Sequence, residues 1–226
     1  MTDKFYLNFI KDDRWKYIVE GLGVTLQITF AAVIIGIVLG FLVAVVRATY
    51  DKTGKLKVLN WICNVYLTVF RGTPIVVQLM IIYYVIFASM DISKVVAAIL
   101  AFGINSGAYV AEIIRSGIMS IDNGQFEAGR SLGFNYIQTM WHIVLPQALK
   151  NVLPALGNEF IVLLKETSVS GYIALQDLTK GGDIIRSRTY DAFMPLIAVA
   201  LIYLVMVMVF SKLLEVLERR LRNSER

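Results

Sequence analysis

Residues Leu22 to Val46 read LGVTLQITFAAVIIGIVLGFLVAVV, without one Asp, Glu, Lys or Arg. A run of about 18 or more apolar residues can cross the hydrocarbon of a bilayer as a helix, which satisfies its own backbone there. Thr25, Gln27 and Thr29 are only isolated polar positions within it. Phe193 to Phe210 repeats the pattern with no charge at all. The composition agrees: 57% hydrophobic, 17% charged and mean hydropathy +0.66, where soluble domains carry about 25% charged residues. The expected fold class is therefore an all-α integral membrane protein.

Working outward from the first run, five helical spans are expected: 19–47, 58–88, 94–118, 150–168 and 192–217. Arg71-Gly72-Thr73-Pro74 interrupts the second, because proline removes a backbone donor and glycine loosens the chain. Gly36 with Gly40, and Gly103 with Gly107, are small-residue pairs suited to close helix packing, within the chain or between subunits. Residues 1–18 alternate aromatic and charged side chains and read as an interfacial helix, with contact to an external partner as the alternative. The spans and their loops make one domain over 19–217, followed by a tail at 218–226.

Basic residues set the orientation. Arg47, Lys52, Lys55 and Lys57 follow the first span, and Lys212, Arg219, Arg220, Arg222 and Arg226 close the chain. Both regions belong in the cytoplasm, which places residues 119–149 there and the amino terminus outside. The segment 169–191, with Lys180, Arg186 and Arg188, fits that orientation poorly.

The net charge of +5 does not indicate nucleic acid, since the basic residues lie at span ends rather than in a stripe interleaved with aromatics. Cys63 and His142 are each alone, so neither an intrachain disulfide nor a metal cluster is expected. The first 20 residues lack the apolar core of a signal peptide. Gly181-Gly182 is not followed by Lys-Ser/Thr, so no phosphate loop is present.

The cytoplasmic insertion carries Glu127-Ala128-Gly129, then Gly133, then Ile143-Val144-Leu145-Pro146. Asp122 is placed to cap a helix with Gln125 as its capping-box partner and Glu127 in about the first turn. Gly133 supplies a left-handed stop, and Asn135 caps a second short helix over 136–142. By itself this describes an amphipathic surface helix exposing small residues.

The spacing resembles the E-A-A-x3-G-x9-I-x-L-P signature of ABC-importer permeases, with Gly129 in the second alanine position. Arg71-Gly72-Thr73-Pro74 and Asn158-Glu159-Phe160-Ile161-Val162-Leu163-Leu164-Lys165-Glu166-Thr167-Ser168 look like the polar amino-acid group of that family, which includes histidine, glutamine and arginine systems. The resemblance implies a type I importer fold with a cytoplasmic coupling helix formed around Glu127, Ala128, Gly129 and Gly133. It implies two cytosolic ATPase subunits that bind ATP and Mg, a second copy or homologous permease, an extracytoplasmic amino-acid-binding protein, and a bacterial inner membrane as location. This chain itself is expected to hold no cofactor or metal and to have no catalytic residues. An ATP-independent secondary transporter or channel subunit, or a membrane assembly factor, are the competing classes.

Charged groups near the bilayer centre cost about 2.5–3.5 kcal/mol on insertion scales and need a partner or a wet cavity. Glu159 is such a group, near the middle of the fourth span. With Asn158, with Thr73 and Gln78 from the broken span, and with Asn105 and Tyr109 from the third, it forms the expected substrate pathway. Glu159 is the counter-charge for a cationic group of an amino acid, or is paired simply to satisfy burial. Glu112, Lys165 and Glu166 suit gating or structural pairing.

Overall fold

A computed structural model describes residues 2–223. Among them the chain is almost entirely helical, with no strand. The helices are α1 (Thr2–Phe5), α2 (Trp15–Thr53), α3 (Lys57–Gly72), α4 (Ile75–Ile81), α5 (Lys94–Met119), α6 (Asn123–Ser131), α7 (Tyr136–Thr139), α8 (Leu145–Glu166), α9 (Leu178–Thr189) and α10 (Phe193–Asn223). Single π turns extend α4 over Ile82–Ile86 and join α7 to α8 over Met140–Val144.

Helices α2, α5 and α10 are each long and apolar enough to cross a membrane, and α3 with α4 qualifies as one span bent by 110°. Helix α8 does not meet that measure on composition; it contains Lys150, Glu159, Lys165 and Glu166. Its remaining qualification is its place in the bundle, against α5 and α10.

Helix α2 is longer than the expected 19–47 because the basic segment after it stays helical. Arg47 pairs with Glu112 at 2.7 Å and Asp51 with Arg115 at 3.2 Å, tying this extension to α5. Gly54, at φ +67°, then stops the helix in a conformation costly for other residues. The glycine pairs act inside the chain: a Cβ on Gly36 would lie 3.0 Å from Ser106 Oγ, and one on Gly40 2.6 Å from Val110 Cγ1. Likewise a Cβ on Gly103 would meet Ile35 and one on Gly107 would meet Leu39 and Tyr66. All four glycines therefore serve the packing of α2 and α5, with Tyr66 of α3 seated on Gly107.

Two apolar clusters flank mid-span. One joins Ile28, Ala32, Leu79, Phe102 and Leu163; the other joins Ala44, Val110, Ile114, Val144 and Ala148. Between them α5 carries Asn105, Ser106 and Tyr109, so the polar positions fall in a belt between two dry layers.

The amino-terminal segment, expected as one interfacial helix over 1–18, is broken into short pieces. It folds as α1, a π turn at Tyr6–Ile10 and a 3-10 turn at Lys11–Asp13. Asn8 is fully buried, donating to Lys4 O (2.8 Å) and Asp191 Oδ2 (3.0 Å) while accepting from Thr189 Oγ1 (2.8 Å). A buried amide needs partners, and Thr189 at the end of α9 and Asp191 just beyond it supply two of them. Within 169–191, Asp183 pairs with Lys180 at 2.8 Å and Arg186 at 2.6 Å. Of the tail, Arg226 lies outside the described residues.

Candidate functional site: a polar cleft and a surface helix

Pro74 has no N–H, so the carbonyl of Phe70 loses the donor that a continuous helix would supply. Two side-chain amides replace it: Gln78 Nε2 donates at 2.9 Å and Asn105 Nδ2 at 3.1 Å. Gln78 Nε2 also lies 2.9 Å from Thr73 O and 2.7 Å from Thr73 Oγ1, while Asn105 Nδ2 donates to Gln78 Oε1 at 2.8 Å. Three of the expected pathway residues thus come together, as a brace across the break. Gln78 and Asn105 are buried and their amide groups are occupied by protein partners. The proline four residues before Gln78 was the sequence signal for this role.

Glu159 and Tyr109 face a different space, an open cleft of about 480 Å³ between α5 and α8. Arg71, Glu112, Ser116, Ser120 and Asn151 add polar lining; Thr73, Gln78, Asn105 and Asn158 do not line it. Tyr109, Glu112 and Ser116, with Ser120 at the cap, recur every three or four residues and form one stripe down α5 to its end. Asn158 is exposed, about 100° from Glu159 around the axis of α8.

Glu159 accepts a hydrogen bond from Ser106 Oγ at 3.1 Å, and none of the ion pairs among the described residues includes it. Glu112 is the reverse case. Arg47 at 2.7 Å, Arg115 at 2.6 Å and Arg71 at 3.7 Å surround it, linking α2, α3 and α5. Arg71 is the loosest of the three, half-exposed, with its guanidinium 5.7 Å from the Tyr109 ring centroid. Sequence reasoning missed Ser106 and did not separate Arg71 from its motif, since only folding shows which side of the break each faces.

The insertion forms α6 and α7. Asp122 caps α6 by accepting from Gly124 N at 2.6 Å, without the expected partnership with Gln125. Gln125 Oε1 instead accepts from Gln147 Nε2 at 3.2 Å. The full capping box belongs to α7, where Asn135 and Gln138 exchange bonds of 2.9 Å. Glu127 sits in the second turn of α6 rather than the first. Gly133 stops the helix at φ +78°. Glu127 and Ala128 are exposed, but Gly129 is buried against α7: a Cβ there would lie 2.5 Å from Thr139 Oγ1 and 2.6 Å from its Cγ2. Glycine at this position leaves room for Thr139 and adds nothing to the exposed face.

Residues 36–223 match the family described as binding-protein-dependent transport system inner membrane component. The chain is 39% identical to the arginine transport system permease protein ArtQ of Bacillus subtilis, over 92% of this chain and 94% of that one. Among solved structures, one chain of an amino acid ABC transporter crystallised with histidines aligns with TM-score 0.83 and 46% identity, covering 91% of this chain and 94% of the other. A chain of the MetNI methionine ABC transporter in an inward-facing conformation aligns with TM-score 0.80 over 93% and 98%, and at 21% identity it speaks for the fold alone. By helical architecture, insertion spacing and these matches, the chain belongs to the family of inner-membrane components of binding-protein-dependent transport systems.

Proposed function

We propose that this chain is the permease subunit of an ATP-driven importer of amino acids and that the Glu159 cleft is its substrate pathway. The observation that carries this reading is a carboxylate on α8, next to the polar belt of α5, with a hydroxyl partner and no ion pair among the described residues. A charge held at such depth requires a counter-charge or a wet cavity. A substrate ammonium group provides the first, and the cleft provides the second. Arg71, loosely held by Glu112, is available to a substrate carboxylate in the same cleft. Tyr109 narrows the space between them, while Gln78, Asn105 and Thr73 act through the backbone by fixing the bend. A basic or polar amino acid suits this arrangement, and the arginine system among the relatives supports it.

Energy enters from outside the chain. Two cytosolic ATPase subunits bind ATP and Mg and dock on α6 through the surface at Glu127 and Ala128, with Gly129 and Gly133 shaping the helix behind it. A second permease copy or a homologous permease completes the pathway, and an extracytoplasmic binding protein delivers the substrate. The protein has no ATPase site of its own and spans the bacterial inner membrane with its carboxy terminus in the cytoplasm and α8 as one of five spans.

The test is uptake of labelled lysine, arginine, histidine and glutamine by proteoliposomes holding the complete complex and binding protein. ATP-dependent uptake is expected, with Glu159→Gln selectively impairing the cationic substrates. Uptake that needs no ATP would identify a secondary carrier, and an assembled complex without uptake an assembly factor. Unchanged rates and preference in Glu159→Gln would remove Glu159 from the pathway.

A further inference from the structure

Two further cavities border α2 and rest on one apolar cluster. The first, about 610 Å³, is an apolar groove whose lining includes Val38, Leu42, Ile114, Leu145, Leu149 and Trp141. The second, about 410 Å³, is polar and lies where α2 meets α6 and α7; Lys52, Arg130, Glu127 and Thr139 are in its wall. The apolar cluster that contains Ile114 and Ala148 of the groove also packs against Phe126 and Tyr136 of the polar pocket. Leu42 and Lys52 are about 15 Å apart along α2 at 1.5 Å per residue, which is half of a hydrocarbon core about 30 Å thick.

The polar pocket has features of a binding site. Lys52 is fixed in its wall, donating to Asn123 Oδ1 at 2.6 Å with Nζ 4.7 Å from the Phe126 ring centroid. Arg130 forms no ion pair among the described residues. Thr139 is 2% exposed, yet its Oγ1 has no hydrogen-bond partner in the protein. Lys52 and Arg130 against Glu127 leave one positive charge, which matches one phosphodiester.

We propose that these cavities together bind one anionic phospholipid, its phosphate between Lys52 and Arg130 and an acyl chain in the groove beside Trp141. The spacing places the head at the end of α2 and the chain within a single leaflet. The lipid thereby touches the wall of α6, the helix assigned above to ATPase docking, although its binding does not depend on that assignment.

The test uses Trp141 as a reporter in the full chain carrying Trp15→Phe and Trp61→Phe, reconstituted in phosphatidylcholine vesicles. Phosphatidylglycerol with brominated acyl chains is expected to quench Trp141 more strongly than brominated phosphatidylcholine at equal mole fraction. Lys52→Ala with Arg130→Ala should erase that preference, each charge being worth about fivefold in affinity. Leu42→Phe, which fills the groove and leaves the pocket intact, should reduce quenching by both lipids. Circular dichroism and monodispersity identify variants that fold as wild type and so count in the comparison. Equal quenching by the two lipids, a preference that survives the double substitution, or no quenching because a second copy covers the groove would each overturn the proposal. Loss of the preference on adding inorganic phosphate, at constant ionic strength, with quenching by brominated phosphatidylcholine unchanged, supports the phosphate half of the site. Inorganic phosphate that protects Thr139 and Arg130 from exchange or labelling in detergent, with no lipid preference in vesicles, would assign the pocket to a soluble anion instead.

Discussion

Gly129→Ala tests how the surface helix is held. The substitution adds a methyl group 2.5 Å from Thr139 Oγ1, 2.6 Å from Cγ2 and 3.1 Å from Cβ. Thr139 is buried and cannot swing into solvent. Overpacking of this kind costs about 1–3 kcal/mol, while alanine in place of glycine returns about 1 kcal/mol of helix propensity. The single variant is therefore expected to lose up to about 2 kcal/mol. At about 2–4 °C per kcal/mol for a chain of this size, the thermal midpoint should fall by at most about 8 °C. Thr139→Ala removes the two closest atoms; the lost hydroxyl has no partner, so its own cost is that of one buried methyl, about 0.5–1.5 kcal/mol. In the double variant the helix gain remains and only the 3.1 Å approach to Cβ is left of the clash, so a cycle of four thermal midpoints in detergent should show about 1–3 kcal/mol of favourable coupling. A double variant no more stable than Gly129→Ala would refute the packing argument.

Asn105→Leu should cost about 1–3 kcal/mol, because it leaves Gln78 Oε1 without its donor and weakens the cover on Phe70 O; an unchanged thermal midpoint would deny the brace. Gly40→Val should prevent normal packing of α2 on α5, since its Cβ meets the Ala111 backbone nitrogen at 2.8 Å as well as Val110, whereas Gly23→Ala, with nothing within 4 Å, should be tolerated; equal yields of folded protein from both would contradict the glycine assignment. Lys180 and Arg186 hold the Asp183 carboxyl below its ordinary value of 3.8. A lowered folded value means that this contribution is complete above that pH and lost as pH falls through the folded value. Asp183→Asn should therefore flatten the stability profile only at the acid end, and a profile altered near neutrality would not fit.

Much of the architecture was legible in the chain because its signals are local. Apolar runs of membrane length mark α2 and α10, proline at 74 marks the bend, and glycine at 133 marks a helix end where φ is positive. The insertion was legible for the same reason, its spacing being a one-dimensional pattern. Where helix ends depend on distant partners, the reading fell short. Helix α2 runs on to Thr53 through ion pairs to α5, and the first segment folds back because Asn8 finds Asp191 and Thr189.

The sequence by itself determined that this is a helical membrane protein with a polar arm, and that Glu159 is an ionisable group in the middle of an expected span. Periodicity and hydropathy are properties of neighbours in the chain, so no tertiary knowledge was required. Only the tertiary structure decided what each polar residue does. Asn105, Ser106 and Tyr109 are near neighbours on one helix, yet they serve a backbone brace, a carboxylate and a cleft. Which role each takes depends on the element packed against its face, and so does the burial of Gly129 beneath a surface that its neighbours Glu127 and Ala128 leave exposed.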